Sequence, residues 1–235
     1  MQHFNIAVDG PAGAGKSTIA RAVASRLGLI YVDTGAMYRA MALYLLREKV
    51  LPSQEAGVLA ACEKARVTIR YEDGIQKVIL NGEDVSGLIR TEEVGETASI
   101  ISGYVPVREK LVELQRQLAR DADVIMDGRD IASCVLPDAQ VKIYLTASVR
   151  VRAERRFKEL KERGGDCDLA KIEKDIQERD YRDMHREHSP LIQVKEAVLV
   201  DTSDLDIPQT IGRIITIARE HGFTPREEGE GPDWK

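Results

Sequence analysis

The run Gly10-Pro11-Ala12-Gly13-Ala14-Gly15-Lys16-Ser17 matches the pattern G-x-x-x-x-G-K-[S/T] at every fixed position. Glycines let a backbone curl so that successive N–H groups point inward at phosphate oxygens. The start of a following helix adds its positive dipole end. In such a loop Lys16 would bridge the terminal phosphates of a nucleoside triphosphate, and the Ser17 hydroxyl would ligate Mg²⁺. The plain alternative is a glycine-rich turn before an Ala-rich helix. The flanks argue against it: residues 4–8 are apolar and β-rich, and from Thr18 to residue 24 apolar side chains recur at helical spacing.

A bound triphosphate needs something to receive its phosphoryl group. Asp33, Thr34 and Arg39 follow the next apolar run, where Asp33 or Thr34 could equally cap a helix. Asp127 follows the apolar run 124–126 and is placed like the acid that helps hold magnesium in phosphate-loop enzymes, although Asp-Gly is also a common turn. Arg179, Arg182 and Arg186 stand at i, i+3 and i+7, with Asp183 four after Arg179, so helical geometry puts them on one face. Arg152, Arg155 and Arg156 form a similar set. Either set could be solvated surface charge. Beside a phosphate loop they gain a second use. Two unit negative charges about 4 Å apart repel by roughly 4 kcal/mol at an effective dielectric near 20. Mobile arginines closing over both anions would offset that repulsion and exclude water. A phosphate acceptor has a second pKa of about 6 and needs no strong base, which suits a chain with no nucleophile–His–Asp arrangement. His185 and His188, three apart, have no further His or Cys nearby to complete a metal site.

These residues need a scaffold. Apolar, β-branched runs at 4–8, 29–32, 124–126, 141–145 and 197–200 alternate with helical patterns. That alternation predicts a parallel sheet buried on both faces. Ligands in such sheets sit at the carboxyl ends of strands, which collects residues 33–35, 127–130 and 146 on one rim with the phosphate loop. The interval 67–85, with its Asp73-Gly74 and Asn81-Gly82 turns, predicts a small antiparallel insertion. Residues 151–186 carry 11 basic and 10 acidic side chains around a Gly164-Gly165 break, as a charged helical hairpin would. The segment from residue 224 onward, rich in Pro, Gly and Glu and holding Trp234, is expected to be a loose tail.

Composition narrows the classes. The 235 residues suit one sizeable α/β domain, with 43% hydrophobic and 31% charged residues. A formal net charge of −5 argues against a nucleic-acid binder. Cys62, Cys134 and Cys167 are odd in number and widely spaced, a usage expected of a reducing compartment and of buried fillers. With no leader and no long apolar run, a cytoplasmic location without membrane attachment is expected.

Taken together, the segment from Gly10 to Thr18, residues 33–39, Gly128-Arg129-Asp130, residues 141–147 and residues 186–191 resemble the bacterial cytidylate kinases, over about residues 4–218. The resemblance implies an α/β phosphate-loop NTPase fold: a five-stranded parallel sheet flanked by helices, a small antiparallel insertion and a helical lid. It implies one kinase domain over 1–235, with a monophosphate-binding region at 36–107 that includes the small sheet at about 65–90, and a lid at 150–170. The activity implied is transfer of the γ-phosphoryl group of ATP, with Mg²⁺, to CMP or dCMP by a monomer.

By the same resemblance Gly10, Pro11, Ala12, Gly13, Ala14, Gly15, Lys16, Ser17 and Thr18 would bind ATP. Ser17 and Asp127 would hold the metal, and Lys16, Arg129, Arg152 and Arg156 would stabilise transferring charge. Arg39, Arg108, Arg129 and Arg186 would bind the acceptor phosphate, with Asp33 nearby. Thr34, Asp130 and Arg179 would lie near its sugar, and Ser99, Arg108 and Asp183 would read the cytosine. A carboxylate suits that reading because it accepts from the exocyclic amine of cytosine, where uracil offers only an acceptor. The sequence departs from the family after Asp130, where Ile131-Ala132-Ser133-Cys134 replaces the more usual Ile-Gly-Thr-Val. Ala132 lacks the freedom of glycine at positive φ. Two rivals remain on the residues alone: a kinase acting on another small acceptor, and a nucleotide-dependent switch.

Overall fold

A computed structural model describes residues 3–162, 164–165 and 167–224. Among these the strands are β1 (Asn5–Asp9), β2 (Ile30–Asp33), β3 (Val67–Glu72), β4 (Ile75–Leu80), β5 (Glu83–Asp84), β6 (Val124–Gly128), β7 (Val141–Thr146) and β8 (Val198–Asp201). The helices are α1 (Lys16–Leu27), α2 (Thr34–Arg47), α3 (Glu55–Lys64), α4 (Glu92–Ile101), α5 (Val105–Asp121), α6 (Val149–Glu162), α7 (Leu169–His185) and α8 (Ile207–Glu220). The expected tail lies, but for residue 224, outside the described residues.

The main sheet has the order β2-β6-β1-β7-β8, with every neighbouring pair parallel. Each apolar run expected to be a strand is one. Their continuous apolar character follows from burial on both faces, since alternate residues of one strand enter opposite cores. Ala7, Val32, Val124 and Met126 pack with α2 to α5. Ile6, Val8, Tyr31, Ile125 and Val141 pack instead with α1 and α8. β1, carrier of the phosphate loop, is the central strand, so the loop hangs from a strand bonded on both sides.

The insertion is a three-stranded antiparallel sheet in the order β3-β4-β5. Both of its turns are two-residue loops with positive φ throughout: Asp73 at 51° with Gly74 at 73°, and Asn81 at 49° with Gly82 at 93°. That is the backbone Asp-Gly and Asn-Gly favour in tight hairpins. The charged segment after β7 is the helical pair α6 and α7, and the Asp168 side chain caps α7 by accepting from Ala170 N.

Candidate active site

The carboxyl ends of the main-sheet strands open into a cleft of about 950 Å³ lined by the loop, by α2, α4 and α5, and by the helical pair. Gly10 starts the loop at φ 150°, so close to β7 that a Cβ there would lie 1.9 Å from the Leu145 carbonyl oxygen. Only glycine fits. Lys16 opens α1, and its Nζ donates to Gly10 O at 2.7 Å and Pro11 O at 2.8 Å. Burial, followed by the nearby Arg129 guanidinium, pushes its amine below the ordinary lysine range. The head of Lys16 is thus held over the loop by weak carbonyl partners that a phosphate would outcompete.

Ser17 Oγ donates to Asp127 Oδ2 at 2.8 Å, and Tyr31 Oη donates to Asp127 Oδ1 at 3.0 Å. Burial and the charge of Asp33 push the Asp127 carboxyl up to about 6, against the pull of Lys16. A hydroxyl beside a buried carboxylate is an oxygen donor pair that fits Mg²⁺, which needs only one or two protein ligands because phosphates and water supply the rest. Among the described residues no cluster of three or more His, Cys, Asp or Glu suggests a different metal.

The sequence reading missed Asp9. Its two oxygens accept from Ile131 N and Ala132 N, each at 2.8 Å, and so pin the turn behind Arg129 and Asp130. Burial pushes this carboxyl up to about 6. The turn, residues 131–135, is a single π-helical one. Ala132 is not among its positive-φ positions, so the departure from the family pattern brings no backbone strain.

Opposite the loop stand arginines from four elements. Arg108 on α5 pairs with Asp130 and donates to Ser102 O at 3.3 Å, while Arg186 Nη2 reaches Asp130 Oδ1 at 3.5 Å. Arg129 Nε donates to Asp183 Oδ2 at 2.8 Å. The pairing therefore differs from the expected grouping. Asp130 stands with Arg108, and Asp183 stands with Arg129; Ser99 lines the same cleft. Arg39 on α2 makes long bonds to Ile89 O, 3.3 Å, and Thr91 O, 3.5 Å. Among the described residues the buried Arg179 Nε has no partner, and burial followed by Arg129 pushes its guanidinium down to about 10. Both cations face the cleft, Arg179 with Asp183 and Arg39 with Asp33 as the nearby carboxylates.

Thr34 Oγ1 donates to Asp127 O at 2.7 Å and so ties the start of α2 to β6. Asp33 does cap α2, accepting from Ala36 N at 2.9 Å, and it also pairs with Arg90 at 2.6 Å. The capping reading of Asp33 is borne out, and Asp33 also lines the cleft. Arg90, in the segment after the small sheet, was not foreseen, because nothing in its surroundings marks it as more than a surface arginine.

Two expectations need correcting. Arg152 lines the cleft but is not a mobile arginine. It is buried and spends its guanidinium on Ala147 O, Ala12 O and Asp180 Oδ2 at 2.9, 3.0 and 2.7 Å. It therefore fastens the loop to α7. Arg182 does not line the cleft with Arg179: about 60° around the helix from it, on the side away from Asp183, it falls at the edge of that face and is exposed. Arg156 stays half exposed, paired with Glu159 at 2.9 Å, and Arg155 donates to Thr202 Oγ1 and O.

The sequence pattern of the cytidylate kinase family matches residues 6–220. A cytidylate kinase of Lactobacillus gasseri is 50% identical over 217 residues, covering 92% of this chain and 94% of the relative. One from Desulfitobacterium hafniense is 47% identical over 216 residues, covering 92% and 93%. Among solved structures, an uncharacterized protein from Eubacterium ventriosum matches with a TM-score of 0.51 at 11% identity, over 92% of this chain and 99% of that one, a likeness of fold alone.

Proposed function

The chain belongs to the cytidylate kinase family, and from that membership we infer that the cleft transfers the γ-phosphoryl group of ATP onto CMP or dCMP. The products are ADP and CDP or dCDP. The observation that carries the reading is the convergence of Arg39, Arg129, Arg179 and Arg186 on the same cleft as Lys16 and Ser17. One wall is built for a triphosphate and the other for a second anion.

The phosphate loop from Gly10 to Thr18 receives the triphosphate of ATP. Lys16 turns from the Gly10 and Pro11 carbonyls to the terminal phosphates, where its charge follows the transferring group. Ser17 and Asp127 would hold Mg²⁺, which supplies charge neutralisation across the phosphates. Arg39, Arg129 and Arg186 take the acceptor phosphate and bring its oxygen into line. That phosphate is largely a dianion at neutral pH and attacks without a protein base. Arg156 closes from the charged hairpin, while Arg152 keeps the loop seated.

Asp183 and Arg179 lie toward the sugar together with Thr34. Base reading falls to Asp130, which Arg108 orients, with Ser99 beside it. The carboxylate accepts from the exocyclic amine of cytosine. The acting unit in this reading is a monomer. Three unpaired cysteines and nucleotide substrates support a cytoplasmic setting. No helix among the described residues is long and apolar enough to cross a membrane.

The test is Lys16→Ala. Turnover of ATP with CMP should fall by a factor of roughly 100 or more while the melting curve stays close to the parent. Near-parental turnover would overturn the mechanism.

A further inference from the structure

β2 is the outermost strand of the main sheet, so one side of its backbone has no strand to bond. The small sheet supplies the missing partners with side chains. Gln76 Oε1 accepts from Asp33 N at 2.8 Å, and Gln76 Nε2 donates to Asp33 O at 3.2 Å. Two residues earlier on the same edge, Tyr71 Oη donates to Tyr31 O at 3.2 Å. Tyr71 and Gln76 are directly opposite each other across β3 and β4. A single cross-strand pair therefore reaches over the edge, its primary amide bonding Asp33 as a neighbouring strand would.

Covering an open edge is reason enough for some contact. The position of this contact asks for more. Gln76 grips the last residue of β2, the one from which the chain turns into α2. Asp33 is buried, its Oδ1 caps α2, and its Oδ2 holds Arg90, which enters the cleft from the segment after the small sheet. Thr34 and Arg39 follow on α2. A shift of Asp33 would therefore move Arg90, Thr34 and Arg39 together; all three line the cleft, and the proposed function assigns Thr34 and Arg39 to the acceptor. The ATP-binding loop hangs from β1, two strands away, and would not follow.

We propose that the inserted sheet is a positioning device for the acceptor site, acting through the Gln76 amide on the backbone of Asp33. Gln76 is a positioning residue that touches neither substrate. The inference rests on the reading of the cleft as an acceptor site for CMP.

The experiment compares the full-length parent with Gln76→Ala and Tyr71→Phe, measuring ADP formation while ATP and CMP are varied separately. In Q76A the KM for CMP should rise about tenfold, since displaced Thr34 and Arg39 would hold the acceptor less tightly in ground and transition state alike. The KM for ATP and kcat at saturation should stay within about twofold of the parent. Y71F, which loses one hydrogen bond and almost no volume, should change in the same direction by less and melt with the parent. An unchanged KM for CMP in both variants would overturn the inference. So would parallel losses for both substrates in step with a lowered melting temperature, the signature of edge cover alone. If the parent forms no ADP with CMP, the functional reading itself fails, and this inference with it.

Discussion

Arg108 and Asp130 form an ion pair in the cleft wall, each less than a tenth exposed. Neither group has bulk water to replace the other. Breaking such a pair by removing one partner typically costs about 3–5 kcal/mol because a buried charge is left over. The pair thus fixes the direction of the Asp130 carboxylate before any acceptor arrives. Fixed direction is what a group reading one base edge requires.

Replacing Asp130 by Asn tests this directly. The amide keeps the shape but can present a donor to the O4 of uracil, where the carboxylate presents only acceptors. The ratio of kcat/KM for CMP to that for UMP should fall by roughly tenfold or more. The melting temperature should fall as well, since Arg108 loses its counter-charge. Steady-state kinetics with both nucleotides checks it, and an unchanged ratio would place base reading elsewhere.

Gly95 lies within α4, where a Cβ would come 2.9 Å from Arg39 Nη1 and 3.1 Å from Nη2. Replacing an interior helical glycine by alanine ordinarily stabilises by about 0.5–1 kcal/mol. Here the added methyl must also push the Arg39 guanidinium aside. Gly95→Ala should therefore melt higher than the parent yet show a KM for CMP raised roughly fivefold, with the KM for ATP unchanged. Thermal melts and acceptor titration on the same preparation decide it.

The Asp9 carboxyl is pushed up to about 6 by burial, against about 3.9 in an unfolded chain. Between those values the unfolded chain gives up its proton while the folded one keeps it. The protonated carboxyl therefore favours the fold below pH 4, and that advantage is lost as pH rises through 6. Two units correspond to about 3 kcal/mol. Asp9→Asn cannot ionise, so its stability relative to the parent should rise by about that amount between pH 4 and pH 7. Urea unfolding of both proteins across this range measures the difference, and a flat difference would contradict the assignment.

Much of the site was legible because phosphate chemistry restricts residue type and spacing so tightly. The loop from Gly10 to Ser17, and the acids that end apolar strands at Asp33 and Asp127, could be placed on one rim before any coordinates. The small sheet was legible from Asp73-Gly74 and Asn81-Gly82, whose turn type leaves little choice of partner. What the sequence could not show was who pairs with whom. Asp130 and Asp183 are both acids near arginines, and only the packing of α5 and α7 assigns Arg108 to one and Arg129 to the other. Arg152 looked like its exposed neighbours Arg155 and Arg156 because burial is not written in residue type. Asp9, Gln76 and Arg90 act through backbone groups or through another side chain, so no local pattern marks them.

The central claim is the identity of the acceptor. ATP offered with CMP, dCMP, UMP, AMP or no acceptor, while ADP formation is followed, tests it most directly. The account predicts turnover with CMP and dCMP at least about tenfold above that with UMP or AMP, and little ADP without an acceptor. Equal hydrolysis with and without a monophosphate, or preference for AMP, would contradict it.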